Sequence, residues 1–197
     1  MPAYTNLTGL LGSSTLIVVA LLQLPRVKHL PKRYLALLTA TVFLLCLLPF
    51  GGLPLAGYVR GMVGDLSITT IVLLLIALLH PYRVLVDVKQ RYHLLMVMAL
   101  AAIFLYPLAL GVSLYDPYRW GYSSMQFIAT VLLIAMAALL IQERLVALCL
   151  TLATLAWSVG WYESSNMWDY LIDPLVAVYA IWTLARACIC RLFFYKG

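Results

Sequence analysis

Charged side chains are scarce in this chain: Asp, Glu, Lys and Arg together make up 10% of its 197 residues. A soluble domain carries about 25% charged residues. Such a small number cannot cover a globule with polar surface, and 65% of the residues are hydrophobic. We therefore expect lipid, rather than water, to surround most of the chain.

Signatures of common enzyme chemistry are missing as well. The sequence contains no HExxH, GxSxG or P-loop motif, and no cysteine pairs at zinc-binding spacing. The histidines, His29, His80 and His93, lie near segments assigned below to the cytoplasmic side, far from the outer acids. We therefore predict no metal and no other cofactor, and we assign no catalytic residue. Acid–base chemistry by Glu163 with a neighbouring aspartate stays open.

Cysteines are few, and none falls in a predicted outer loop. Cys46 and Cys149 lie within apolar runs, whereas Cys188 and Cys190 lie near the predicted cytoplasmic end. An oxidising compartment would find nothing to bridge. We expect all four to be reduced and to behave as small apolar side chains.

The chain is instead rich in long apolar runs. They are continuous rather than alternating, which predicts helices and not the strands of a barrel. Seven segments of roughly spanning length can be drawn, at about 7–24, 35–57, 66–86, 94–114, 125–142, 145–161 and 168–186. We predict an all-α, polytopic transmembrane bundle of about seven helices, forming a single integral membrane domain over residues 1–197.

Two of these segments need a further argument. The first has its basic cluster after it rather than before it, so we expect it to stay as a membrane helix instead of being cleaved as a signal. The fifth and sixth are separated only by Gln142–Arg144. One helix over 125–161 would be about 55 Å long, so we predict a reversal there.

The basic residues indicate the orientation. With seven helices, two of the 13 Lys and Arg residues, Arg60 and Arg119, fall on one side. The rest share the other side: Arg26, Lys28, Lys32, Arg33, Arg83, Lys89, Arg91, Arg144, Arg186, Arg191 and Lys196. This asymmetry predicts an outside N-terminus and a cytoplasmic C-terminus. Because the basic residues flank helix ends, we expect anionic lipid, and not nucleic acid, to be their partner.

The predicted outer loops, at 58–65, 115–124 and 161–173, combine aromatic rings with acids and two arginines. Trp and Tyr at headgroup depth are typical of any membrane protein. The mixture of rings with carboxylates and arginines instead favours an outward-facing site for a polar ligand. The predicted binding residues are Arg60, Asp65, Arg119, Trp120, Glu163, Asn166, Trp168 and Asp169.

Three of the outer acids have a structural alternative. Asp65, Asp116 and Asp173 each precede a predicted helix and are expected to cap its N-terminus. Arg60 ranks first as a ligand-binding group because its guanidinium can hold phosphate or carboxylate with two hydrogen bonds. Gly57, Gly61 and Gly64 flank it and predict a tight turn with positive φ. The alternative for Arg60 is an ion pair with Asp65 that holds the turn together.

The segment Gly61-Met62-Val63-Gly64-Asp65-Leu66-Ser67, followed by an apolar helix, resembles a short turn in known enzymes. It is similar to Gly-Leu-Arg-Phe-Asp-Leu-Ser in the membrane domains of phosphoglycerol and phosphoethanolamine transferases. This chain has Val63 where that pattern has arginine, and it lacks their soluble metallohydrolase domain. The resemblance implies a role in an envelope lipid or glycan context, by a membrane module without the catalytic half.

These features predict a multi-pass protein of the cell inner membrane. Its expected role is to bind or present an anionic lipid headgroup or a lipid-linked glycan in envelope biogenesis, as accessory to a partner enzyme. The expected partners are membrane lipids and another membrane protein. A small-solute transporter or channel, and a non-catalytic subunit of a membrane assembly, remain as alternatives.

Overall fold

The structure is a computed structural model that describes residues 3–82, 86–112, 114–122 and 124–194, with side chains described between Leu7 and Cys190. It is 79% helical, which confirms the all-α class. The predicted positions Arg83, Ser123 and Lys196 lie outside the described residues, as does the side chain of Arg191.

Ten α-helices occur in the described ranges. They are α1 (Ala3–Leu22), α2 (Pro25–Lys28), α3 (Lys32–Leu47), α4 (Leu55–Val63), α5 (Ile68–Leu79), α6 (Val88–Pro107), α7 (Met125–Leu140), α8 (Arg144–Ser158), α9 (Trp168–Leu171) and α10 (Pro174–Phe194). A π-turn at Leu108–Val112 continues α6, and 3-10 turns occupy His80–Tyr82 and Pro117–Gly121.

The predicted segment 35–57 is wrong at its end, because α3 stops at Leu47. A two-stranded hairpin follows, with β1 (Pro49–Phe50) paired antiparallel to β2 (Leu53–Pro54). Gly51 and Gly52 form its turn with φ of 64° and 100°, a conformation that side chains disfavour. Hydropathy alone reads through this hairpin because most of its residues are apolar.

The predicted reversal between the fifth and sixth segments is confirmed. Helix α7 ends at Leu140 and α8 begins at Arg144, and the two helices pack against each other. Gln142 adopts a φ of 65°, the one positive φ at a non-glycine residue in the described chain. The Glu143 amide donates to the Ala138 carbonyl over 2.8 Å, which closes the end of α7.

The described residues form two compact units. Within the described ranges, unit 1 comprises residues 3–66, 71–82 and 161–163, and unit 2 comprises residues 67–70, 86–160 and 164–194. In unit 1, α1 packs against α3 and α4. Its apolar core is centred on Val18, Leu22 and Leu35, with Phe43 and Leu78 packed around them. The single domain expected from the sequence stays a prediction.

In unit 2, α6 packs against α8 and α10, and α7 packs against α8. The loops gather at the two ends of α6 as the charge pattern predicts. At its start, Gln90 Nε2 donates to the Gln142 carbonyl over 3.1 Å. Beyond its other end, Trp168 Nε1 donates to the Pro117 carbonyl over 3.0 Å. The predicted cytoplasmic loops of this unit thus meet at one end, and its outer loops meet at the other.

Helix length separates one element from the rest. Among the described helices, Val88–Val112, of 25 residues, alone has the length and apolar composition needed to cross a bilayer, and an 18-residue stretch of it has a mean hydropathy of 2.4. Shorter apolar helices occupy Leu7–Leu22, Ile68–Tyr82, Met125–Leu140, Arg144–Ser158 and Pro174–Cys190.

Candidate functional site

The predicted site residues divide between the two units. Arg60, Asp65 and Glu163 belong to unit 1. Arg119, Trp120, Asn166, Trp168 and Asp169 belong to unit 2.

Arg60 is held by two carboxylates. Its Nε and Nη2 donate to the two oxygens of Asp65 over 2.6 Å and 3.0 Å, in the planar geometry that an arginine fork allows. Glu163 Oε1 lies 3.7 Å from Nη2. The hydrogen bonds with Asp65 are the main reason that the pKa of Arg60 is raised above its ordinary value. This arrangement matches the alternative in which Arg60 forms an ion pair with Asp65. Two carboxylates already face the guanidinium, so the local charge does not favour binding of an anionic ligand.

Helix α1 accommodates this ion pair through Gly9. A β-carbon at Gly9 would overlap Arg60 Nε and Asp65 Oδ1. The side chains of Arg60 and Asp65 are 18% and 22% exposed. A glycine in α1 therefore lets the partly buried pair lie directly against the helix backbone, which is a packing role.

The segment around Arg60 is a helix and not the glycine-formed turn predicted from the sequence. Gly57 and Gly61 lie within α4, and only Gly64, which ends that helix, has a positive φ, of 81°. Leu55–Val63 continues as a helix because nothing in it breaks the hydrogen-bonding ladder, and isolated glycines weaken a helix without ending it.

Asp65 does not cap α5, because it is already paired with Arg60. Ser67 does so instead: its hydroxyl accepts from the Thr70 amide over 3.2 Å. Asp173 satisfies a second free amide at this helix start, accepting from Ser67 N over 2.7 Å. The sequence suggested the right kind of interaction at this helix but the wrong residue.

The other two predicted caps are confirmed. Asp173 accepts from the Val176 amide over 2.9 Å at the start of α10, and it is buried. Asp116 accepts from the Tyr118 amide over 3.0 Å at the 3-10 turn. In each case the aspartate precedes a proline whose fixed φ starts the helix.

Asp169 lies at the centre of a hydrogen-bond network in unit 2. Its carboxylate accepts from the Tyr118 hydroxyl over 2.9 Å and 3.0 Å, and from Ser164 Oγ over 2.5 Å. Burial, with the nearby Asp169 charge as the second cause, raises the pKa of Tyr118 well above its ordinary value. The phenol therefore stays protonated and acts as a donor. Asp169 is occupied by structural partners.

Asn166 and Trp168 join the two loops of unit 2. Asn166 is fully buried, and its Nδ2 donates to the Tyr118 carbonyl over 3.0 Å while its Oδ1 accepts from the Trp168 amide over 2.9 Å. Trp168 packs its ring on Phe127 at 4.7 Å between centroids. A β-carbon on Gly121 would overlap the Asn166 amide. Both predicted ligand-binding residues are thus part of the loop core.

Arg119 and Trp120, unlike Asn166, Trp168 and Asp169, have side chains exposed on the surface of the loops. Both are exposed, and within the described residues Arg119 has no ion pair or side-chain hydrogen bond. The Trp120 ring meets Tyr115 edge-on at 5.4 Å and Phe104 at 6.4 Å. The 3-10 turn that carries them is fastened through Tyr118. This turn therefore carries an exposed guanidinium, without an ion pair in the described chain, on the residue before a tryptophan that packs on two other rings.

The sequence did not identify several polar contacts. Tyr118 and Ser164 are ordinary loop residues until folding brings them to Asp169. The sequence predicted no partner for His93, whose Nδ1 lies 2.7 Å from Glu143 Oε1. A cavity of about 470 Å³, lined in part by Tyr92, was not predicted either. Tyr118 and Asp169, like His93 and Glu143, are about 50 residues apart in the chain. No local spacing pattern predicts contacts between residues so far apart.

Within the described residues, no group of three or more His, Cys, Asp or Glu side chains could hold a metal ion. Comparison with protein-family models, curated proteins and solved structures finds no match to this chain. Any functional conclusion therefore depends on the geometry and charge of these residues.

Proposed function

We propose that this chain is a multi-pass inner-membrane protein whose outward loops bind the headgroup of an anionic lipid or a lipid-linked glycan. The observation that carries this proposal is the exposed Arg119, which has no ion pair among the described residues and directly precedes Trp120, whose ring packs on Tyr115 and Phe104. Arginine recognises phosphate through its planar fork, and Trp and Tyr rings prefer headgroup depth.

Apolar side chains exposed along the helices support several membrane crossings. Leu37 and Leu44 of α3 are 66% and 62% exposed, and Leu133 of α7 is 60% exposed. Leucines on single exposed positions are ordinary, but here they recur on most helices of both units. A lipid solvent accounts for them without further partners. The charge asymmetry then assigns Arg119 to the outer side.

The rigidity of the Arg119 turn also supports binding. Asp116 caps the turn, Tyr118 is bonded to Asp169, and the Pro117 carbonyl accepts from Trp168. A guanidinium on a fixed turn loses less conformational freedom on binding than one on a mobile loop. Arg60 is already paired with Asp65, and in this proposal it stabilises the fold and does not bind the ligand.

An accessory role beside a partner enzyme completes the proposal. The resemblance of residues 61–67 to the transferase membrane domains supports an envelope context, and the described residues offer no metal cluster for catalysis. The ligand would therefore be held for chemistry carried out elsewhere.

Native mass spectrometry of the purified protein tests the proposal. In mixed micelles of phosphatidylglycerol and phosphatidylcholine, the wild type should retain phosphatidylglycerol preferentially. Arg119→Ala should weaken that binding about tenfold, since a charge-assisted hydrogen bond contributes about 1.5–3 kcal/mol. Arg119→Lys should recover only part of it, because the planar fork is lost.

Arg33→Ala is the matched control. Arg33 also lies near an aromatic ring, 5.0 Å above Tyr34, but on the predicted cytoplasmic side. Arg119→Ala should therefore lower phosphatidylglycerol retention by the same factor whether or not Arg33 has been replaced. Equal retention of phosphatidylglycerol by wild type and Arg119→Ala would overturn the proposed function.

A further inference from the structure

A cavity of about 470 Å³ lies in unit 2 between the first turns of α6 and the last turns of α10. Tyr92, Tyr179 and Trp182 form aromatic walls, and Arg186 contributes a cation. Binding sites of this size accommodate a small molecule or a headgroup. The cavity lies at the opposite end of α6 from the Arg119 turn, so it is separate from the proposed outer site.

The acids of this protein are all engaged elsewhere. Each of the 7 Asp and Glu residues lies in the described part of the chain. Asp65 and Glu163 face Arg60, and Glu143 faces His93. The other four accept hydrogen bonds from backbone amides or hydroxyls: Asp87, Asp116, Asp169 and Asp173. None of these carboxylates is therefore the counterion of Arg186.

The neighbouring polar groups add positive character to the cavity. Arg91 Nη2 lies 3.5 Å from the Tyr179 hydroxyl, so a second guanidinium stands directly behind one wall. Two arginines, without a carboxylate between them, raise the affinity of such a recess for anions.

The surface around the cavity identifies the kind of ligand. Trp182 and Val178 are each 67% exposed, and Ile189 is 54% exposed, on the same helix as Arg186. An anion with apolar chains would place its charge in the cavity and its chains on these side chains. A fully water-soluble anion would leave them uncovered.

We propose that this cavity binds a phosphate group, with Arg186 as its cationic ligand, Arg91 supporting through Tyr179, and the phosphate belonging to a lipid of the cytoplasmic leaflet. Arginine fits because its fork matches phosphate oxygens. The cytoplasmic leaflet supplies the anionic lipid. A free phosphate shares the headgroup chemistry, and the experiment separates the two sources.

The test uses the full chain in detergent with two probes, phosphatidylglycerol and inorganic phosphate. Lipid retention is measured by native mass spectrometry in wild type, Arg186→Ala and Arg186→Lys. In the Arg119→Ala background, which removes the proposed outer site, we expect Arg186→Ala to lower phosphatidylglycerol binding about tenfold and Arg186→Lys to recover part of it, while phosphatidylcholine binding stays the same. Quenching of Trp182 fluorescence by a spin-labelled phosphatidylglycerol should fall in parallel.

Two controls make the result specific. Arg33→Ala removes another arginine from the same predicted side but outside the cavity, and it should leave Trp182 quenching unchanged. Tyr179→Phe removes only the hydroxyl beside Arg91 and should weaken the binding severalfold. Arg119→Ala should leave Trp182 quenching intact, so failure of the outer site and failure of this one are distinguishable.

The outcomes decide between the sources. Binding of inorganic phosphate without phosphatidylglycerol would overturn the assignment to lipid. Unchanged lipid retention and unchanged Trp182 quenching in a folded Arg186→Ala protein would overturn the site as a whole.

Discussion

Arg60 and Asp65 form a two-bond ion pair, with Nε–Oδ1 and Nη2–Oδ2 distances of 2.6 Å and 3.0 Å. The pair lies against Gly9 of α1. It joins the last turn of α4 to Asp65, two residues beyond the end of that helix, in a partly buried position. Removing either partner of such a pair destabilises the folded protein, because the remaining charge is partly desolvated and has lost its counterion.

The first prediction concerns the stability of this pair. Arg60→Ala should lower the free energy of unfolding by about 1–3 kcal/mol, the contribution of charge-assisted hydrogen bonds. Gly9→Ala should do the same by displacing both side chains. A double-mutant cycle of Arg60→Ala with Asp65→Ala, followed by thermal unfolding in detergent, should show strong coupling. Additive effects would mean that the pair contributes nothing to stability.

The second prediction uses two glycines in different surroundings. Gly121→Ala should destabilise the protein by about 1–3 kcal/mol, because the new methyl group meets the buried Asn166 amide. Gly61→Ala should stabilise it by about 0.5–1 kcal/mol, because Gly61 lies in α4 with open space around it. Thermal unfolding of both variants checks this. Equal shifts for the two would contradict the close packing at Gly121.

The third prediction is a pH dependence caused by Tyr118. Its pKa is raised above the ordinary value of 10.0 in the folded chain, so the folded state keeps its proton where the unfolded state loses it. The stabilisation is fully present below pH 10 and is lost as the pH rises toward the folded pKa. Above pH 10, the wild type should lose stability more steeply than Tyr118→Phe. Parallel curves would exclude Tyr118 as the cause.

The fourth prediction concerns the α7–α8 turn. Gln142 has a φ of 65°, which costs about 1 kcal/mol at a residue with a side chain. Gln142→Gly should therefore stabilise the protein by about 0.5–1 kcal/mol, although it loses the exposed contact with Arg144. Gln142→Val should destabilise it, because a β-branched residue tolerates this conformation poorly. A lower melting temperature for the glycine variant would contradict the prediction.

The fifth prediction tests the membrane topology. With the exposed Cys188 and Cys190 replaced by serine, Trp120→Cys should react with an impermeant maleimide from outside intact cells. Lys89→Cys should react only after the membrane is opened. Labelling of both positions from one side would show that the number of crossings is wrong.

The sequence by itself determined the helical class, the break at Gln142–Arg144, the start of α10 at Asp173-Pro174 and the sorting of loops within unit 2. These depend on composition, on short-range backbone chemistry and on the distribution of charge. Such signals act locally or over whole segments, so the residues record them directly.

Only the tertiary structure decided which polar residues are available. Asp65 pairs with Arg60 instead of capping α5, and Asp169 is occupied by Tyr118 and Ser164. Arg119 is left without an ion pair in the described chain, although the sequence ranked Arg60 above it. Because charged groups are few, each carboxylate accepts hydrogen bonds from whichever donors the packing of the helices brings close to it. That choice depends on contacts distant in the chain, which no local pattern encodes.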